Sequence, residues 1–116
     1  MHELSIAEAL IEQVEREVRR AGRKGRVLKL ELSIGQLSGV HHESLKFALD
    51  LLAPGTLVEK AEVEIRRPRA VCACGQCGGR SEIDQWPLGC PKCGSDQITI
   101  EGGRELLLES IELEDD

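Results

Sequence analysis

A chain of 116 residues has room for one ordinary domain, or for a compact domain carrying a small metal-stapled module. Apolar residues make up 41 %, enough for a core, but with no Tyr, one Phe and one Trp that core must be aliphatic and offers few stacking platforms for single-stranded nucleic acid. The formal net charge of −6 opposes general affinity for a phosphate backbone and leaves cation and protein binding open.

Met1-His2-Glu3 has no basic leader character, and no apolar run approaches membrane-spanning length. The five cysteines are odd in number and crowded into one window, which fits a secreted disulfide framework poorly. The expected location is the cytoplasm, with no membrane partner.

Along the chain, Ser5-Ile6-Ala7-Glu8 has the pattern of a capping box, which predicts a helix with Ser5 as its N-cap. Ile6, Leu10, Val14 and Val18 then form an apolar stripe, and Gly22 is the expected C-terminal stop. Val27 to Ile34 predicts a strand, with Leu28, Leu30, Leu32 and Ile34 on its buried face. A second helix is expected from about Glu43 to Leu52, closed by Pro54-Gly55, and a second strand from Ala61 to Arg67. From Ala70 to about Gly103 the aliphatic runs give way to cysteines and glycines. Leu106 to Leu113 then predicts a last strand that returns to pair with the earlier two. The expected fold is α/β (α+β): a small mixed sheet with two helices, interrupted by a zinc-ribbon-like insertion.

Cys74-Gly-Gln-Cys77 and Cys90-Pro-Lys-Cys93 are two C-x-x-C pairs separated by twelve residues. Two thiolates three positions apart on a tight turn occupy adjacent corners of a tetrahedron, and two such knuckles close a four-sulfur shell suited to Zn(II). A closed shell leaves no position for water or substrate, so the expected role is structural. Such a segment needs metal to replace the core it lacks. Iron in the same cage, as an electron carrier, is the weaker alternative. Cys72 is the odd thiol, expected to be a bystander rather than a spare ligand.

At the other end, a free Met1 amine, the amide of His2 and the imidazole of His2 can close fused chelate rings around one ion. Glu3 can complete the set. Nitrogen-rich planar coordination favours Ni(II) or Cu(II) over zinc or magnesium. Taken alone, a histidine near a terminus is more often a solvated side chain than a ligand. His41-His42 is a second imidazole cluster, expected to help cap the second helix rather than to bind metal.

Met1-His2-Glu3-Leu4-Ser5, then Ile34-Gly35 leading to Glu43-Ser44-Leu45-x-Phe47, then Cys74-x-x-Cys77…Cys90-Pro-x-Cys93-Gly94 span nearly the whole chain. Together they resemble the HypA/HybF family of hydrogenase nickel-incorporation proteins. The resemblance implies a nickel metallochaperone, not an enzyme, that serves maturation of [NiFe] hydrogenase. It implies the GTPase HypB and the hydrogenase large subunit precursor as partners, and His2 as the essential nickel ligand. Glu3 would tune that site, the Met1 amine would assist, and Cys74, Cys77, Cys90 and Cys93 would hold structural zinc. It also implies a nickel-binding α/β domain over 1–69 and 103–116 and a zinc-binding module over 70–102. One departure is that the turn before the second helix, often acidic in the family, carries His41-His42. No histidine follows residue 42 to flank the cysteines.

Two other classes compete. Arg66, Arg67, Arg69, Arg80 and Lys92 make the cysteine region locally basic, as a zinc-ribbon adaptor or nucleic-acid-binding regulatory module would be, against the overall acidity. A hydrolase would need a nucleophile, a base and an open metal position together, and no such set is present. The sequence does not define oligomeric state, and a weak homodimer is compatible with it.

Overall fold

The computed structural model describes residues 2–114. Its elements in chain order are α1 (His2–Arg20), β1 (Val27–Ile34), α2 (His42–Leu52), β2 (Glu62–Arg66), β3 (Ala70–Cys74), β4 (Arg80–Ile83), β5 (Ile98–Glu101) and β6 (Leu106–Leu113). They divide between two compact units. The first comprises Met1–Leu32, Val40–Ile65 and Leu107–Asp116, and the second comprises Ser33–Gly39 and Arg66–Leu106. The small mixed α+β architecture with a cysteine-bearing insertion is as the pattern implied.

In the first unit, α1 buries Ala7, Leu10, Ile11, Val14 and Val18, the continuous stripe that a 3.6-residue period produces. Its start corrects the sequence reading: the helix begins at His2, so Ser5 sits inside the first turn and is not the N-cap. A serine-to-glutamate spacing supplies acceptors for orphan amides, but it does not forbid helix upstream of it. Glu3 there puts negative charge at the positive end of the helix dipole.

The other end behaves as expected. The Gly22 N–H donates to the Arg19 carbonyl at 3.0 Å and the Arg23 N–H to the Val18 carbonyl at 3.2 Å. This is the paired bonding of a Schellman turn. It requires a left-handed residue at the bend, and Gly22 has φ +69°.

The helix α2 packs against α1 and buries Leu45, Ala48 and Leu49. His41 is its N-cap, the ring Nδ1 accepting the Ser44 backbone N–H at 3.2 Å, so the capping role expected for this pair is met. The helix ends with the Ala53 N–H bonded to the Leu49 carbonyl at 2.9 Å, just before Pro54-Gly55.

The first sheet has the order β2-β1-β6. The Glu114 N–H donates to the Arg26 carbonyl at 2.9 Å and the Gly35 N–H to the Glu105 carbonyl at 2.8 Å, so β6 runs antiparallel to β1. The last strand therefore pairs with β1 alone, while β2 takes the opposite edge, rather than meeting both earlier strands. Leu30, Leu32 and Ile34 are buried as predicted, but Leu28 is 47 % exposed and Val27 is buried in its place. A strict alternation thus fails at the first turn of the strand, where Val27 is anchored by its N–H to the Leu57 carbonyl at 2.9 Å.

The second unit has a sheet of its own, β4-β3-β5, which the sequence reading did not anticipate. Both pairings are antiparallel, with Cys72 opposite Ser81 on one side and Ile100 on the other. Alternation along β3 buries Ala70, Cys72 and Cys74 while Val71 and Ala73 are half-buried. Arg80 and Glu101, on the two flanking strands, meet in a two-pronged ion pair at 2.6 and 3.2 Å. That pair is largely solvent-exposed and contributes little to stability. Where Ser33–Gly39 joins this unit, the glycines are required: a Cβ on Gly35 would collide with the Gly103 carbonyl group, and one on Gly103 would lie 2.5 Å from the Ala70 Cβ.

Candidate metal centre

The centre is built by two turns and one strand end. Cys74 closes β3, and the chain then turns so that Cys77 comes back beside it, the Gly78 N–H donating to the Cys74 carbonyl at 3.1 Å. The second knuckle repeats the geometry, with the Gly94 N–H on the Cys90 carbonyl at 2.8 Å. Gly78 and Gly94 take φ values of +73° and +78°, which other residues adopt only with strain.

These turns aim backbone donors at sulfur. The amides of Gln76 and Cys77 point to Cys74 Sγ at 3.3 and 3.4 Å, and those of Lys92 and Cys93 to Cys90 Sγ at the same two distances. The Gly79 amide does likewise to Cys77 Sγ at 3.4 Å. Amide hydrogens directed at sulfur favour the thiolate. The bonds from Cys77 and Gln76, against the opposing effect of burial, hold Cys74 down to about 6. The amides of Cys93 and Lys92 lower Cys90 in the same way. At Cys93 a bond from the Ser95 amide pulls downward, but burial and the three neighbouring thiols outweigh it and push the group up to about 12. Four sulfurs this close cannot all ionise without a cation among them.

The sulfurs fit one. All four lie within 4.8 Å of one another, with Cys74 and Cys93 at 3.6 Å and Cys77 and Cys90 at 3.7 Å. A tetrahedron with zinc–sulfur bonds of about 2.3 Å has sulfur–sulfur edges of about 3.8 Å. A disulfide would need about 2.0 Å. Among the described residues this is the one group of three or more His, Cys, Asp or Glu side chains placed to hold a metal.

Cys72 stands apart from it. Its side chain is 1 % exposed within the β3 face, and burial, helped by the nearby thiols, pushes its thiol up from the ordinary range. It is a core residue of this unit.

At the amino end, His2 is exposed as the first residue of α1. Its N–H and that of Glu3 are among the amides a helix leaves without intrahelical partners. The Met1 amine, singled out as a further ligand, lies outside the described residues. The Glu3 carboxylate accepts the His41 backbone N–H at 3.1 Å, a link that spacing could not reveal because 38 positions separate the two. The rings of His41 and His42 have centroids 6.0 Å apart, and His42 Nε2 is 3.9 Å from the Glu43 carboxylate. No helix among the described residues is long and apolar enough to cross a membrane.

A small α/β unit that carries the exposed His2 at the head of its first helix, together with a unit that brings four thiols together, defines a two-module metal-handling protein. The family model described as hydrogenase/urease nickel incorporation, metallochaperone, HypA matches residues 1–113. A hydrogenase maturation factor HypA of Chlorobium limicola is 40 % identical over 115 residues, covering 99 % of this chain and 98 % of that one. One from Methanocaldococcus jannaschii is 33 % identical over 121 residues, covering 98 % of each. The fold is similar to the solution structure of the Ni metallochaperone HypA from Helicobacter pylori, with a TM-score of 0.65 at 23 % identity over 96 % of each chain. The chain belongs to the HypA/HybF family of hydrogenase-maturation nickel metallochaperones. The family's role is to carry a metal ion, not to catalyse a reaction.

Proposed function

We propose that this protein takes up Ni(II) at its amino terminus and delivers it for maturation of [NiFe] hydrogenase in the cytoplasm. The observation that carries the reading is the family match over residues 1–113, which includes the exposed His2 at the head of α1. His2 supplies its imidazole and amide, the Met1 amine closes the first chelate ring, and Glu3 adds negative charge beside it. Such a shell is shallow and open on one side, so an incoming ligand can displace the donors one at a time. Cys74, Cys77, Cys90 and Cys93 hold Zn(II) in a closed shell, where it supplies folding free energy rather than chemistry.

The partners we assign are the GTPase HypB and the hydrogenase large subunit precursor. The family description names urease beside hydrogenase. Arg80, one of the cations behind the nucleic-acid alternative, is engaged by Glu101.

Metal analysis and nickel titration of untagged protein, parent against His2→Ala, test the reading. One nickel per chain beyond the zinc is expected for the parent. The variant is expected to keep its zinc and fold while losing nickel by about a hundredfold or more in affinity, since a nitrogen donor and its chelate ring are both removed. Equal nickel binding by the two proteins would overturn it.

A further inference from the structure

We propose that the cleft at the carboxyl end of α1 is an anion site for the di- or triphosphate group of a small ligand. Six of the chain's fifteen Lys and Arg residues fall between positions 16 and 26, in a protein whose net charge is −6. The Schellman turn at Gly22 reverses the chain, so that Arg19 from the helix and Arg23 and Lys24 from the loop line one cleft of about 490 Å³. Val18 and Leu57 also line it. The volume lies within the range of small-molecule sites, about 300–1,000 Å³.

Helix capping explains only part of this cluster. Arg19 and Arg20, in the last turn, offset the helix dipole. Arg23 and Lys24 lie beyond the helix, and among the described residues neither they nor Arg19 has a carboxylate within ion-pair distance. The helix end itself carries about half a negative charge, which three full positive charges outweigh. Two guanidinium forks and one ammonium suit adjacent phosphate groups, the forks binding oxygens in pairs. The lining has no aromatic ring to stack on a base, so recognition rests on the phosphates. Glu15 is the one acidic residue of the lining, outnumbered by Arg19, Arg23 and Lys24. This site is independent of the nickel assignment.

The test uses zinc-loaded, full-length protein, following backbone amide shifts during titration with sodium pyrophosphate, ATP, adenosine or a glutamate-rich peptide at physiological ionic strength. Saturable shifts confined to residues 18–25 and Leu57 are expected with pyrophosphate and ATP, and none with adenosine. Equal affinity for the two assigns the site to free diphosphate, and tighter ATP binding assigns it to a nucleotide. The double substitution Arg23→Ala with Lys24→Ala is expected to weaken binding about tenfold or more, having removed two charge-assisted contacts. Lys46→Ala with Lys60→Ala, equal in charge change but elsewhere, is expected to leave it unaltered. Absence of saturation, equal weakening by both double variants, or tighter binding of the peptide than of pyrophosphate would each overturn the proposal.

Discussion

The Glu3 carboxylate and the His41 backbone N–H are 3.1 Å apart, so the first turn of α1 is bonded to the residue that caps α2. That one contact joins the helix turn bearing His2 to the chain's only other histidines, His41 and His42. The His41 amide, followed by the Glu3 amide, holds the Glu3 carboxyl below its ordinary value of 4.5. A depressed carboxyl adds stability that is complete above 4.5 and is lost as pH falls through the lower, folded value. The His41 amide proton is therefore expected to shift upfield on acidification with a midpoint below 4.5, and the shift is expected to vanish in Glu3→Gln. A midpoint at or above 4.5 in the parent would mean that the contact is not formed in solution.

Zinc removal should act on one unit. Chelation is expected to abolish the dispersed amide signals of residues 66–106, because four clustered thiols then face one another without a cation. Signals from α1 and α2 should persist. Loss of both sets at the same chelator concentration would show instead that the units fold as one.

Cys72 should be shielded in the zinc form. Buried at 1 % exposure and pushed upward by that burial, it is expected to resist alkylation at neutral pH while zinc holds the unit closed, and to react once chelation opens it. Cys72→Ala should lower stability by about 1 kcal/mol through lost packing, with zinc content unchanged. Mass spectrometry of the alkylated peptides, and zinc assay of the variant, check both halves.

Gly103, packed against Ala70, should be intolerant of substitution. Gly103→Ala puts a Cβ 2.5 Å from that of Ala70 at a position with φ +80°, so strain and overlap add. A loss of about 2–4 kcal/mol is expected by denaturant unfolding of the zinc form. Gly55→Ala, at φ +84° but with open space around it, should cost only about 1 kcal/mol. Equal losses at the two positions would argue that overlap with Ala70 plays no part.

The features decided by short-range chemistry were legible in the residues themselves. Gly22 ends α1 because only a residue without a Cβ enters the left-handed bend freely, and the stripe of Leu10, Val14 and Val18 must face a core wherever it lies. The convergence of Cys74, Cys77, Cys90 and Cys93 was readable for the same reason: a C-x-x-C turn sets two sulfurs locally, and two such turns leave few partners but each other.

What the tertiary structure alone decided involves residues far apart in sequence. The helix starts at His2 rather than after Ser5, Leu28 is left half in water, and β6 lies against β1 alone. Cys72 was an unassigned thiol until pairing with β4 and β5 fixed which face of β3 it occupies. Glu3 meets His41 across 38 positions, and Gly35 meets Gly103 across more, with no local signal at either end. Propensity and spacing act over one or two turns of chain, whereas burial and close backbone approach depend on which distant segments the fold brings into contact.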